Sequence, residues 1–395
     1  MNDKLKIKQY TLSPQDNLPR DISDVKELIK KVTRKITINA TGSNLNKLFP
    51  WVELAEKTLK RYKDYDDKLI INLQRSLANM MCEKMEYNRA KSLIKSVINK
   101  YLEIGKINKK KLAEYYWYLA IVLHDMGFHH NSKYYDDAKK NIEKALSLDK
   151  NNPNNHGIYA DILFRLGENT EAENHYKKKV LEICINKKGK EHQQTAAFYN
   201  EYGVFLTSLG KYDKAKNFLT KAYRIFKNKN GEENLYTVRC LCHLYHLDYC
   251  KKDYNGAFAK VNKAFLIVKK IKGDNDKETE LNKNNCGRML VMLKQYNEAA
   301  DYLSSPFVIV SGKEKLFLLL DYNKDYMPAP QIIICKKGVF AGKLIKIAKS
   351  KNIPIIKNHV LAKGLMKDCG QFVSVLPVYY KPLAKILTKI IKVEE

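Results

Sequence analysis

The densest run of side chains that could do chemistry is Cys240-Leu241-Cys242-His243-Leu244-Tyr245-His246-Leu247-Asp248-Tyr249-Cys250. Thiols and imidazoles are the usual ligands of zinc, and on a helix Cys242, His246 and Cys250 follow one another a turn apart on one face. One helix rarely closes a four-ligand site, and no Cys-x-x-Cys pair supplies the rest. The cluster therefore reads as core thiols and a groove histidine, with no metal and no cofactor. The eight cysteines are scattered without paired spacing, which fits free thiols in a reducing compartment and excludes a disulfide scaffold. The chain has no phosphate-cradling P-loop, no GxGxxG after a strand, no HExxH and no GxSxG. No catalytic constellation is left, and a non-enzymatic protein is expected.

The elements that carry these residues repeat. The clearest unit is Tyr202-Gly203-Val204-Phe205-Leu206, then Leu209-Gly210-Lys211-Tyr212-Asp213-Lys214-Ala215, then Leu219 and Ala222. A small residue, a turn, Tyr, and an alanine followed by apolar residues four and seven positions on is a helix-turn-helix pattern, and it resembles the tetratricopeptide repeat. The same frame places its alanine at Ala90, Ala138, Ala172, Ala215, Ala257 and, truncated, Ala299; a half-repeat from Trp51 to Tyr62 with Ala55 precedes them. The spacing is longer than the minimal unit, as in kinesin light chains, and the longest interval is assigned to a turn widened by residues Phe128 to Tyr134. Gly167, Gly210, Gly231 and Asn152-Pro153 mark turns.

Stacked repeats leave a face lined by the first helix of each pair, which is the expected binding surface. Phasing by the repeat frame projects Trp117, Asp161, Phe164, Arg165, Asn200, Arg239, His246, Tyr249, Asn284 and Arg288 into that face as a peptide-binding groove. Asn200 and Asn284 fall where many such repeats place an asparagine that hydrogen-bonds a bound peptide.

After Pro306 the pattern changes. Phe307–Val310, Leu316–Leu320, Ile332–Cys335 and Ile353–Ile356 read as buried strands, and Gly342–Lys351, Val360–Lys367 and Tyr379–Lys392 as helices, giving a small α/β domain with a mixed sheet. Met327-Pro328-Ala329-Pro330 followed by Ile332-Ile333-Ile334-Cys335-Lys336-Lys337-Gly338 resembles a segment of the cytoplasmic domain of the flagellar and type III secretion export switch protein, the FlhB/SctU family. The resemblance continues through Asn352-Ile353-Pro354-Ile355-Ile356 and Leu376-Pro377 to Leu387. It implies a docking surface for export substrates or exporter components. That family carries transmembrane helices ahead of this domain, where the present chain has repeats, and cleaves itself at Asn-Pro-Thr-His through attack by the Asn side chain. The corresponding positions are Gly312-Lys313-Glu314-Lys315. Glycine has no side-chain nucleophile, so cleavage is not expected.

The fold expected is mostly α, a repeat solenoid followed by a small α/β domain: 1–48 unassigned apart from an amphipathic stretch from Val25 to Ile36, 49–306 repeats, 307–395 the FlhB-like domain. Charge adds little to this. Lys and Arg number 72 against 43 acids, for a net +29, but only nine are Arg. Arg supplies the planar fork that reads phosphate and base edges, so specific nucleic-acid binding is not expected. No apolar run reaches the roughly 18 residues of a membrane helix, and the first residues lack a secretory h-region. A cytoplasmic protein–protein adaptor, peripheral to a secretion apparatus, is the leading expectation. An effector or regulatory scaffold unrelated to export, translocation included, and a basic RNA-associated repeat protein remain open alternatives.

A denaturing gel is expected to show one species of 45.9 kDa. A C-terminal fragment beginning just after Gly312 would overturn the loss of self-cleavage.

Overall fold

The computed structural model describes residues 22–39, 49–61, 67–83, 85–105, 107–303, 306–312, 315–322, 329–371 and 374–394. Two compact units divide the chain, residues 1–190 and 191–395.

The first unit is helical: α1 (Ile22–Asn39), α2 (Phe49–Arg61), α3 (Asp67–Glu83), α4 (Tyr87–Glu103), α5 (Lys109–His129), α6 (Tyr134–Leu148), α7 (Pro153–Arg165), α8 (Asn169–Asn174) and α9 (Glu182–Lys188), with a π-helical stretch His175–Leu181 joining the last two. Helices pack on their neighbours through a seam of small side chains, and Ala55, Ala90, Ala138 and Ala172 are all fully buried in it. The stretch left unassigned before residue 49 contributes a helix to the stack: Leu28, Ile29 and Val32 of α1 are buried, and α1 packs on α2 and α3. The long interval before Ala138 is spent differently from the widened turn expected. Phe128 and His129 are helical and lengthen α5, leaving only His130 to Lys133 as the turn. Asn152 caps α7 by accepting from the Asn154 N–H, with Pro153 at the first helical position. Tyr62, in the expected half-repeat, lies outside the described residues.

The second unit continues the repeats as α10 (Gln193–Ser208), α11 (Tyr212–Asn230), α12 (Leu235–Cys250), α13 (Tyr254–Lys272), α14 (Lys277–Met292) and α15 (Tyr296–Ala299). Ala215, Ala257 and Ala299 occupy its seam. At Gly203 a Cβ would stand 2.6 Å from Leu219, so the close approach of α10 and α11 requires glycine. The turn between them passes through the left-handed region at Gly210 (φ +71°), and the same step in later pairs is made by Lys252 and Lys294 at φ +62° and +64°.

The strands follow: β1 (Pro306–Ser311), β2 (Leu316–Asp321), β3 (Gln331–Lys337), then α16 (Val339–Ser350), β4 (Ile355–Lys357), α17 (His359–Asp368) and α18 (Tyr380–Glu394). Their sheet order is β3-β2-β1-β4, with β2 antiparallel to both neighbours and β4 parallel to β1. Side chains alternate between two cores. Val308, Val310, Phe317, Leu319 and Ile333 pack with Ala341, Leu344 and Ala348 of α16, and also with Leu290 and Val291 of α14. Phe307, Ile309, Leu316, Leu318 and Ile332 pack with Leu361 and Leu365 of α17 and Leu383 and Ile386 of α18. Burial on both faces is why β1 and β2 are unbroken apolar runs. The change at 306 is thus a change of element type and not of core: the sheet is built onto the last repeat.

Ala215→Asp puts a charge into the seam and is expected to cost on the order of 3 kcal/mol. Lys252→Gly, which relieves the left-handed turn, is expected to be neutral or stabilising by up to ~1 kcal/mol. Urea unfolding checks both, and an Ala215→Asp chain as stable as the parent would contradict the seam.

Candidate functional site

In the first unit, α5 and α7 meet at His124 and the expected Asp161. His124 Nε2 lies 2.7 Å from Asp161 Oδ2, and its Nδ1 lies 3.1 Å from Asp125 Oδ1. Burial disfavours charge on His124, but the two carboxylates outweigh it and raise the imidazole to about 9, so it is a cation at neutral pH. Burial would raise Asp161; His124 and Arg165 hold it below the ordinary carboxylate range. Arg165 is exposed, with its guanidinium over the rings of Phe128 and Phe164 at 5.2 and 5.8 Å. Trp117 is half-buried beside Tyr118, and its buried indole N–H has no hydrogen-bond acceptor among the described residues. Arg75 pairs with Glu114 at 3.0 Å. Asp125, Phe128 and Glu114 were not anticipated. The i, i+4 step from His124 to Phe128 was the available signal, hidden by reading Phe128 as turn.

The second unit corrects two expectations. Asn200 is 4% exposed, with Oδ1 2.9 Å from His243 Nδ1, and Asn284 is 3% exposed, with Nδ2 donating to Asp321 Oδ2 of β2 at 2.7 Å. Neither is presented to a ligand. Asn200 ties α10 to α12, and Asn284 ties α14 to the sheet. Arg239 and His246 are exposed on α12. Tyr249 packs into the core beside Tyr254, and half-buried Arg288 reaches Asn285.

The cysteines of this face are not poised for chemistry. Burial raises Cys240, Cys242 and Cys286 to about 12, and the Cys242 thiol donates to Asn282 Oδ1 at 3.2 Å. Among the described residues no three Cys, His, Asp or Glu side chains converge as metal ligands. Burial, with Arg239 and His246 adding to it, lowers His243 to about 4, so the imidazole meeting Asn200 is neutral.

Of the expected cleavage positions, Gly312 leaves β1 and Lys315 enters β2 with φ +47°; Lys313 and Glu314 lie outside the described residues, as do Met327 and Pro328.

Helix pairs seamed by alanine and ending in a four-stranded mixed sheet make this chain a tetratricopeptide-repeat array that carries a C-terminal FlhB/YscU-family domain. Residues 128–152 and 154–228 match tetratricopeptide repeat families, and residues 303–390 match the FlhB HrpN YscU SpaS Family. The flagellar biosynthetic protein FlhB of Aquifex aeolicus (strain VF5) is 28% identical over 80 residues, 20% of this chain and 23% of that protein. The chain thus spans about a quarter of the length of this curated relative. Among solved structures, a mutated EscU C-terminal domain is 22% identical, with 24% of this chain and 88% of that one covered and a TM-score of 0.23. NprR in complex with its cognate peptide NprX is 15% identical over 71% of this chain and 76% of that one, with a TM-score of 0.47. No described helix is long and apolar enough to cross a membrane.

A second histidine pair sits at the π-helical stretch. His156 Nε2–H donates to the Lys150 carbonyl at 2.9 Å, and its Nδ1 meets His175 Nδ1 at 3.1 Å. Burial, with His156 and Lys179 adding to it, lowers His175 to about 4, and burial lowers His156 as well. The signs are opposite to His124. Stability from His124 is complete below its ordinary 6.5 and lost as pH rises from there through about 9. The His156–His175 pair leaves stability complete above 6.5 and loses it as pH falls toward about 4, because the unfolded chain takes up protons that the folded pair refuses. Urea melts are expected to be most stable near neutral pH. His175→Gln should flatten the acid limb and His124→Gln the alkaline one; unchanged limbs would contradict these environments.

Proposed function

We propose that this protein is a non-enzymatic adaptor: the repeats capture a peptide or protein, and the FlhB-like domain docks on, or mimics, a flagellar or type III export component without cleaving itself. The observation that carries the reading is the shared core of α14 and the sheet. It makes the last repeats and the export-type domain one body, so that a partner held by either travels with both.

The face of the first unit offers ligand groups of complementary kinds. Arg165, laid over two rings, is a fork for a ligand carboxylate. The Trp117 N–H is a buried donor suited to a peptide carbonyl. In the second unit the exposed Arg239 and His246 remain, while Asn200 and Asn284 act structurally. The Lys-rich tail, 16 Lys against 6 acids after residue 306, favours partners with acidic surfaces.

The test uses the full chain, because residues 307–395 alone would expose the sheet face that α14 covers. Purified soluble components and substrates of the flagellar or type III exporter are expected to bind it, and binding by none would reject the export link. Arg165→Glu with Arg239→Glu is expected to weaken a substrate held on the repeat faces about tenfold, or ~1.4 kcal/mol, with the helical circular dichroism retained. Unchanged affinity would remove the repeat faces from the proposal.

A further inference from the structure

We propose that one end of the C-terminal sheet is a peripheral docking surface for an anionic membrane, an assignment independent of the adaptor reading. β2 runs antiparallel to β1 and β3, and β4 runs parallel to β1, so β1, β3 and β4 all point the same way. Their carboxyl ends, Ser311, Lys337 and Lys357, therefore share one end of the sheet. Gly312, Lys315 and the first turns of α16 and α17 gather there. The Gly338 N–H donates to the Lys315 carbonyl at 3.0 Å, the Asn358 N–H to the Val310 carbonyl at 3.0 Å, and Ser311 Oγ lies 2.6 Å from His359 Nδ1.

Two valines project from this end. Val339 in α16 and Val360 in α17 are each 81% exposed, more than any other large apolar side chain among the described residues, and Phe340 beside Val339 is also exposed. Their helices cover opposite faces of the sheet, so the valines straddle it. A flat surface reaches both at once, whereas a peptide in a groove would reach one.

The charge is arranged to match. Lys315, Lys337, Lys343 and Lys357 are exposed at or next to this end, and none has an ion-pair partner among the described residues. The two carboxylates carried by the four strands, α16 and α17 stand at the opposite end: Asp321 on Asn284, and Asp368 on the Tyr379 hydroxyl. No Arg follows Arg288. Protein–protein interface cores favour Arg and aromatics and are depleted of Lys, while an anionic leaflet attracts Lys clusters through its surface potential, with shallow apolar side chains adding to the hold. Four lysines and two projecting valines suit reversible attachment, not insertion.

Flotation of the full chain with phosphatidylcholine vesicles, with and without one-third phosphatidylglycerol, tests this. Binding is expected only to the anionic vesicles and is expected to be lost at high salt. Val339→Asp with Val360→Asp should reduce it about tenfold or more, whereas Val378→Asp, an exposed valine away from this end, should leave it unchanged. Val339→Trp should add a blue-shifted emission on anionic vesicles and none on neutral ones, a readout that does not depend on the double variant folding. No anionic binding, equal binding to both vesicles, equal loss in Val378→Asp, or no emission change would each overturn the proposal. Capture of soluble polyglutamate with the same dependence on Val339 and Val360 would also overturn it, assigning the surface to an acidic protein.

Discussion

A helix pair in a repeat stack cannot bury its own apolar face, so the last pair of any array needs something other than another pair to cover it. In residues 191–395 that cover is a β-sheet. Leu290 and Val291 of α14 are buried against β1–β3 and α16, so the sheet gains a third covering layer and the repeat gains its end cap. The Asn284–Asp321 contact fixes this union in direction. A buried carboxylate is costly unless its oxygens find donors, and an amide from the last first-helix meets one of them. Hydrophobic burial supplies the adhesion, and the polar pair selects one seating among many that would bury similar area.

Much of this could be read from the residues because two patterns are local. Alanine returns at the seam, and the unbroken apolar runs Phe307–Val310 and Leu316–Leu320 report burial on both faces. The hidden part depended on packing between distant segments. Asn200 and Asn284 occupy positions that a repeat frame assigns to ligand, and nothing local indicates that His243 or Asp321 already holds them. Phe128 looked like turn because it follows Gly127 and precedes His129-His130-Asn131, yet tertiary contacts extend α5 through it. Val25 to Ile36 showed its amphipathic stripe plainly; only the neighbours that cover it, α2 and α3, were out of view. The apolar runs after Pro306 carry no information about whose side chains the new strands meet.

The ionisable groups are sorted by environment, not by reactivity. Burial pushes the thiols of Cys240, Cys242 and Cys286 up to about 12, so they stay protonated at neutral pH. One histidine is held charged between two aspartates, while others are held neutral against carbonyl, amide and imidazole. His124–Asp161 links α5 to α7, and His243–Asn200 links α12 to α10.

The β1–β2 hairpin also bears on mechanics. In a chain that cuts itself at this loop, the two strands stay together only through their ladder and side chains, and a pull on the downstream strand would be resisted by non-covalent pairing alone. With glycine at 312 and, under the proposed reading, an unbroken backbone, tension applied at α18 passes along covalent bonds through β2 and β1 into α14 and the repeats. The domain would then serve as a tether, able to hold cargo against a load without the risk of unzipping at its own centre.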